Sequence, residues 1–190
     1  MSTLIKKTST YLIVFSMLWL AILLLSLPIC TANTFQTAKG QMFYTQFSLY
    51  YEGSCHRTTN YRKGVLVPIN TAVKLIKVID ESIFVTLPNG QELEIINIKQ
   101  YSGEGIEKIF SRTFAINPVD LSVFTEDERE SILLGEVTLG MRKTAVIAAL
   151  GYPPKHKTPN LESDQWQYWN NRFNTFIVSF ENGKVTQIQD

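Results

Sequence analysis

Histidine and cysteine are scarce in this chain. Its 190 residues hold two of each, Cys30 and Cys55, His56 and His156. Metal ligands come in closely spaced sets, and the adjacent Cys55-His56 lacks the spacings that gather several ligands around zinc. No metal and no cofactor are expected, and both histidines read as loop residues. The same pair makes a poor nucleophile and base, because neighbouring side chains rarely aim at one another and no third group orients them. Charge is thin as well: 18% of residues are charged and the formal net charge is +1. Without Lys6 and Lys7 the remainder holds 16 basic against 17 acidic residues. Its basic residues are scattered, which argues against nucleic acid as a partner. Glycine clusters only at Tyr101-Ser102-Gly103-Glu104-Gly105, with the wrong spacing to cradle phosphate, so this stretch reads as a hinge. Two acidic pairs remain. Asp80-Glu81 falls in an expected turn, and Glu92 and Glu94 share one exposed strand face, so neither has a reason for a displaced pKa. The chain is expected not to be an enzyme.

What the chain does have begins with an apolar run, Tyr11 to Leu27, preceded by Lys6 and Lys7 and followed by Pro28 and Cys30-Thr31-Ala32. A positive start, an apolar stretch and a small-residue exit describe a signal peptide over 1–32, with cleavage after Ala32. Two alternatives stay open: an uncleaved anchor through residues 11–29, at the lower length limit for a bilayer, and lipidation of Cys30. All three place the body outside the cytoplasm, in the periplasm, either free or membrane-attached. If Cys30 leaves with the signal, Cys55 stands alone and is expected to be buried rather than bridged.

Residues 33–100 read as a β-rich module. Phe47, Leu49, Tyr50 and Tyr51 are strand-like, 52–60 is a polar loop, and Val73 to Leu75, Ile83 to Leu87 and Leu93 to Ile96 are strands. Asp80-Glu81 and Pro88-Asn89-Gly90 are the turns between them. A small open barrel of the SH3-like kind and a plain antiparallel sheet both fit. Residues 101–122 read as a linker, broken at Asn117-Pro118.

Residues 123–190 hold a complete unit. Thr125 and Glu128 match a capping box, and Gly135 ends that helix. Thr138 to Leu150 is expected to be a second helix, stopped by Gly151 with Pro153 and Pro154 behind it. Trp166, Tyr168 and Trp169, then Phe176, Val178 and Phe180, then Val185 and Ile188 form three antiparallel strands, with Asn182-Gly183 as a two-residue hairpin turn. The fold class is therefore α+β, with helices covering one face of the last sheet.

The run Gly140-Met141, Val146, Leu150-Gly151-Tyr152-Pro153, Trp166-Gln167-Tyr168 and Phe180-Glu181-Asn182-Gly183-Lys184-Val185 resembles the outer-membrane assembly lipoproteins of the SmpA/OmlA (BamE-like) type. The resemblance covers about the last 55 to 60 residues. It implies a two-helix, three-strand domain and a non-enzymatic accessory role in building the outer membrane. The same small fold also occurs in secreted inhibitors, so the fold does not fix the role. Two departures stand out: roughly 100 residues separate the export segment from the motif, and Arg142 occupies the place of a polar helix-starting residue.

The aromatic strand carries the binding expectation. Trp166, Tyr168, Trp169 and Phe173 cannot all face one core, and period two puts Trp169 opposite Trp166 and Tyr168. One face is then free to meet a partner, as large amphipathic rings do at interface hot spots. The function expected is a cell-envelope protein that binds other proteins, in outer-membrane assembly or maintenance. The alternatives are a cell-wall or small-ligand binding module and a secreted protein inhibitor.

Overall fold

Alternation of apolar residues sets the first sheet. Strands β5 (Ala72–Ile79), β6 (Ser82–Thr86) and β7 (Glu92–Ile96) place Val73 and Leu75, Ile83 and Val85, and Leu93 and Ile95 on one buried face. Their antiparallel register pairs Leu75 with Val85 and Ile83 with Ile95, so the same face stays together across the sheet. The computed structural model describes residue 35 and residues 38–190. The expected export segment and the lipidation of Cys30 lie outside the described residues.

Strand β1 (Met42–Thr45) adds to β5, and the two-residue β8 (Phe114–Ala115) adds to β1. At the opposite edge β3 (Cys55–Arg57) joins β7 in parallel, giving six strands in the order β3-β7-β6-β5-β1-β8. The expected polar loop 52–60 thus contains a strand. At three residues it is too short to show alternation, and a tight Glu52–Cys55 turn feeds it into the sheet. Helices α1 (Lys99–Ser102) and α2 (Ile106–Thr113) follow. Ile109 of α2 is fully buried in the core of this sheet, along with Phe114. The stretch read as linker and hinge is therefore structured: Gly103 caps α1 in the left-handed region at φ 65°, and Ser102 is buried and donates to Asn97 Oδ1.

A second core belongs to the tail. A 3-10 turn (Leu121–Val123) leads to α3 (Glu126–Leu134), whose N-cap Thr125 forms the capping box with Glu128. Helix α4 spans Lys143–Leu150, five residues shorter at its start than the expected Thr138 to Leu150. Gly140 sits at φ 84°, and the residues before the helix pair with the last strand instead: Gly140 N donates to Val185 O and Val185 N to Met141 O. Strands β9 (Gln165–Trp169), β10 (Thr175–Glu181) and β11 (Lys184–Gln189) form an antiparallel meander in the order β11-β10-β9. Asn182 and Gly183, at φ 51° and 76°, make the hairpin turn between β10 and β11. Ala145, Ala148 and Ala149 let α4 lie close on Trp166, Tyr168, Phe176 and Phe180.

The two cores are joined by buried hydrogen bonds rather than by a linker. Strands β2 (Leu49–Tyr51) and β4 (Val65–Val67) pair with each other apart from the six-stranded sheet. Just before β2, Ser48 N donates to Ala148 O and Ser48 Oγ to Ile132 O, while Ile69 N donates to Ser48 Oγ. Asn60 Nδ2 donates to the carbonyls of Leu150 and Tyr152. Residues 35–190 form one compact unit. The chain is mixed α+β, and among the described residues no helix is long and apolar enough to cross a membrane.

A candidate binding cleft at Trp169

Period two along β9 decides where each aromatic goes. Trp166 and Tyr168 point into the tail core and are fully buried. Trp166 Nε1 donates to Leu161 O, and Tyr168 Oη donates to Gly151 O. Burial pushes the Tyr168 hydroxyl well above the usual phenol range, so it stays protonated as a donor. Neither ring is available to a partner. The expectation that both belong to a binding face is corrected, because each polar end has an internal acceptor and each ring is the main filling of the core.

Trp169 takes the opposite face and is half-buried. Tyr61 pairs with it in an isolated parallel bridge, reinforced by Arg62 N donating to Trp169 O at 3.0 Å. The Tyr61 and Trp169 rings meet edge to face at 6.2 Å. On the other side His156 lies nearly parallel to the indole, 24° and 6.4 Å away, and 4.7 Å from the Tyr101 ring. Burial and the neighbouring Lys157 push the His156 pKa down, which leaves the imidazole neutral at pH 7. These rings surround a cleft of about 360 Å³, with Lys157 and Arg172 at its walls. Thr59 belongs to the cleft wall, and its hydroxyl is enclosed and, among the described residues, has no hydrogen-bond partner. An orphan buried hydroxyl costs stability unless something accepts or donates to it.

Phe173 stands at the β9–β10 loop, 90% exposed, with the Arg172 guanidinium 5.7 Å from its ring. The structure therefore brings together Trp169 and, through Arg172, Phe173. It adds Tyr101, His156 and Thr59, which no pattern in the sequence joins to them.

The other candidates stay apart. His56 is buried and its Nδ1 lies 2.7 Å from Tyr50 O, while Cys55 is half-buried with Sγ 3.7 Å from Glu94 Oε2. Successive residues of a strand point to opposite faces, so the thiol and the imidazole do not meet. Ser82 Oγ donates to Glu94 Oε1, and Asn97 Nδ2 donates to Glu81 Oε2, so both carboxylates act as acceptors in partly buried networks. Among the described residues no three His, Cys, Asp or Glu side chains lie close enough to hold a metal ion. No known protein family model matches the chain, and neither any curated protein nor any solved structure is detectably similar to it.

Proposed function

We propose that this chain is a non-enzymatic binding protein of the cell envelope that takes hold of a partner protein through the cleft at Trp169. The observation that carries the reading is a preformed cleft of about 360 Å³ walled by the packed rings of Tyr61, Tyr101, His156 and Trp169. Aromatic anchors that are already packed lose little freedom on binding, and they concentrate binding energy at interface centres. The exposed Phe173 ring beside the cleft extends the same surface. Export to the periplasm rests on the N-terminal sequence pattern. Two helices followed by a three-stranded antiparallel meander support kinship of the tail with the SmpA/OmlA type. The irregularity in β5 between Leu75 and Lys77 supports an SH3-like bend in the first sheet.

A photo-crosslinking residue placed at Phe173 should capture a discrete protein adduct in cells, and one placed at the remote Thr186 should not. Trp169→Ala should reduce the adduct at position 173 at least about fivefold, as expected for loss of a hot-spot aromatic. Recovery of uncrosslinked monomer alone from both positions ends this reading. A second reading, a cell-wall or small-ligand binding module, uses the same cleft, because flat rings beside two cations also suit a small polar ligand. Retention on isolated peptidoglycan, lost in Trp169→Ala, separates it from the first.

A further inference from the structure

A second cleft, of about 310 Å³, lies on the far side of the α4–β9 loop and shares no lining residue with the cleft at Trp169. Its floor is Arg112, on the last turn of α2. The guanidinium carbon sits 4.9 Å from the centre of the Tyr152 ring. An aromatic face satisfies the plane of a guanidinium but none of its in-plane N–H groups. Among the described residues Arg112 has no salt bridge and no hydrogen-bond acceptor, and its Nε is buried without a partner. Burial lowers the Arg112 pKa, the mark of a cation withdrawn from water.

Charge around the cleft has one sign in excess. Lys108 and Lys155 join Arg112, and Glu104 is the one acidic residue in the lining. Its Oε1 is already engaged by Lys155 Nζ at 3.3 Å. Pro153, Pro159 and Leu161 supply an apolar wall. A half-buried guanidinium whose enclosed Nε lacks a partner is costly, and it is retained most readily where an anion completes it. We propose that this cleft binds an oxyanion, a carboxylate or phosphate group carried on a small apolar body, with Arg112 as its central contact. The Nη1 and Nη2 N–H groups of Arg112 form the fork, Lys108 and Lys155 add charge from the rim, and the proline–leucine wall covers the apolar part.

The test uses the full chain in non-ionic detergent, titrated separately with inorganic phosphate and with phenyl phosphate. Both should bind saturably, with the Arg112 guanidinium resonances moving as the site fills. Phenyl phosphate should bind about tenfold more tightly than inorganic phosphate, from burial of the ring against the apolar wall. Equal affinity for the two overturns the apolar-body part of the proposal. Arg112→Met should weaken both probes more than about tenfold and Arg112→Lys by an intermediate factor, because lysine keeps the charge but not the fork. Lys184→Met, exposed at the β10–β11 hairpin and outside both clefts, should leave binding unchanged. Should Arg112→Met fail to fold, Lys155→Met, with a fewfold loss, takes its place. Absence of saturable binding by either probe overturns the proposal, as does a folded Arg112→Met that binds like the parent chain.

Discussion

His56 and Glu128 are both ionisable side chains taken out of water, and acid reaches them in separate windows. Burial is the main cause that drives the His56 pKa down from 6.5 to about 4, opposed by its bond to the Tyr50 carbonyl and aided by the Arg112 charge. The unfolded chain therefore binds a proton that the folded chain refuses between those values. Stability falls as pH drops from about 6.5 to about 4, by roughly 3 kcal/mol at most. Glu128 behaves as a held carboxylate. Arg142, through Nε and Nη2, is the main cause that brings its pKa from 4.5 to about 2, with the backbone N–H groups of Arg142 and Thr125 helping. The stability it contributes is complete above pH 4.5 and is lost as pH falls toward 2. Urea midpoints measured from pH 8 to pH 2 should show two successive declines. His56→Gln should remove the upper one and Glu128→Gln the lower. A single decline unaffected by either change would contradict these assignments. The capping-box role of Glu128 was legible because its partner is three residues away. Its pairing with Arg142 was not, because that partner comes from the next helix.

Elements built on local rules were readable from the letters, and elements that depend on distant partners were not. The hairpin at Asn182-Gly183, the stop at Gly135 and the alternating strands of the first sheet follow from turn chemistry and period two. Helix α4 begins later than its sequence promised because Met141 is drawn into pairing with β11, a demand made by residues more than forty positions on. Strand β3 escaped notice because parallel pairing with β7 is imposed by the sheet edge, not by its three residues. Gly151 shows an element boundary under tertiary constraint. It sits at φ 73°, and a Cβ there would lie 2.7 Å from Phe47 Cδ2. Gly151→Ala should destabilise by about 2–4 kcal/mol, combining a disfavoured backbone with overpacking against the first core. Urea unfolding measures it, and a loss below about 1 kcal/mol would mean that Phe47 moves aside freely.

At the scale of the whole molecule, the expected division into an all-β module, a linker and a tail says nothing of how the parts meet. Two apolar cores exist, yet Ser48 and Asn60 of the first half are hydrogen-bonded to backbone of the second. Such crossings involve polar residues that carry no periodic signal, so nothing in a linear pattern reveals them. The cleft at Trp169 shares that origin, since Tyr61 and Tyr101 come from one half and His156 and Trp169 from the other. Unfolding of the described body should be a single cooperative step, with indole fluorescence and far-ultraviolet circular dichroism giving coincident urea curves. Ser48→Ala strands the Ile69 N–H and should lower stability by about 1–3 kcal/mol without splitting the transition. Non-coincident curves in the parent chain would show that the halves melt separately.

The pairing of Tyr61 with Trp169 also limits what protein engineering can do with this chain. Transplanting residues 123–190 onto another scaffold would carry over a helix-backed sheet and His156 but leave the indole without the Tyr61 edge that closes its other side. A usable recognition module would have to retain the first sheet as well, even if every partner contact were eventually traced to the tail.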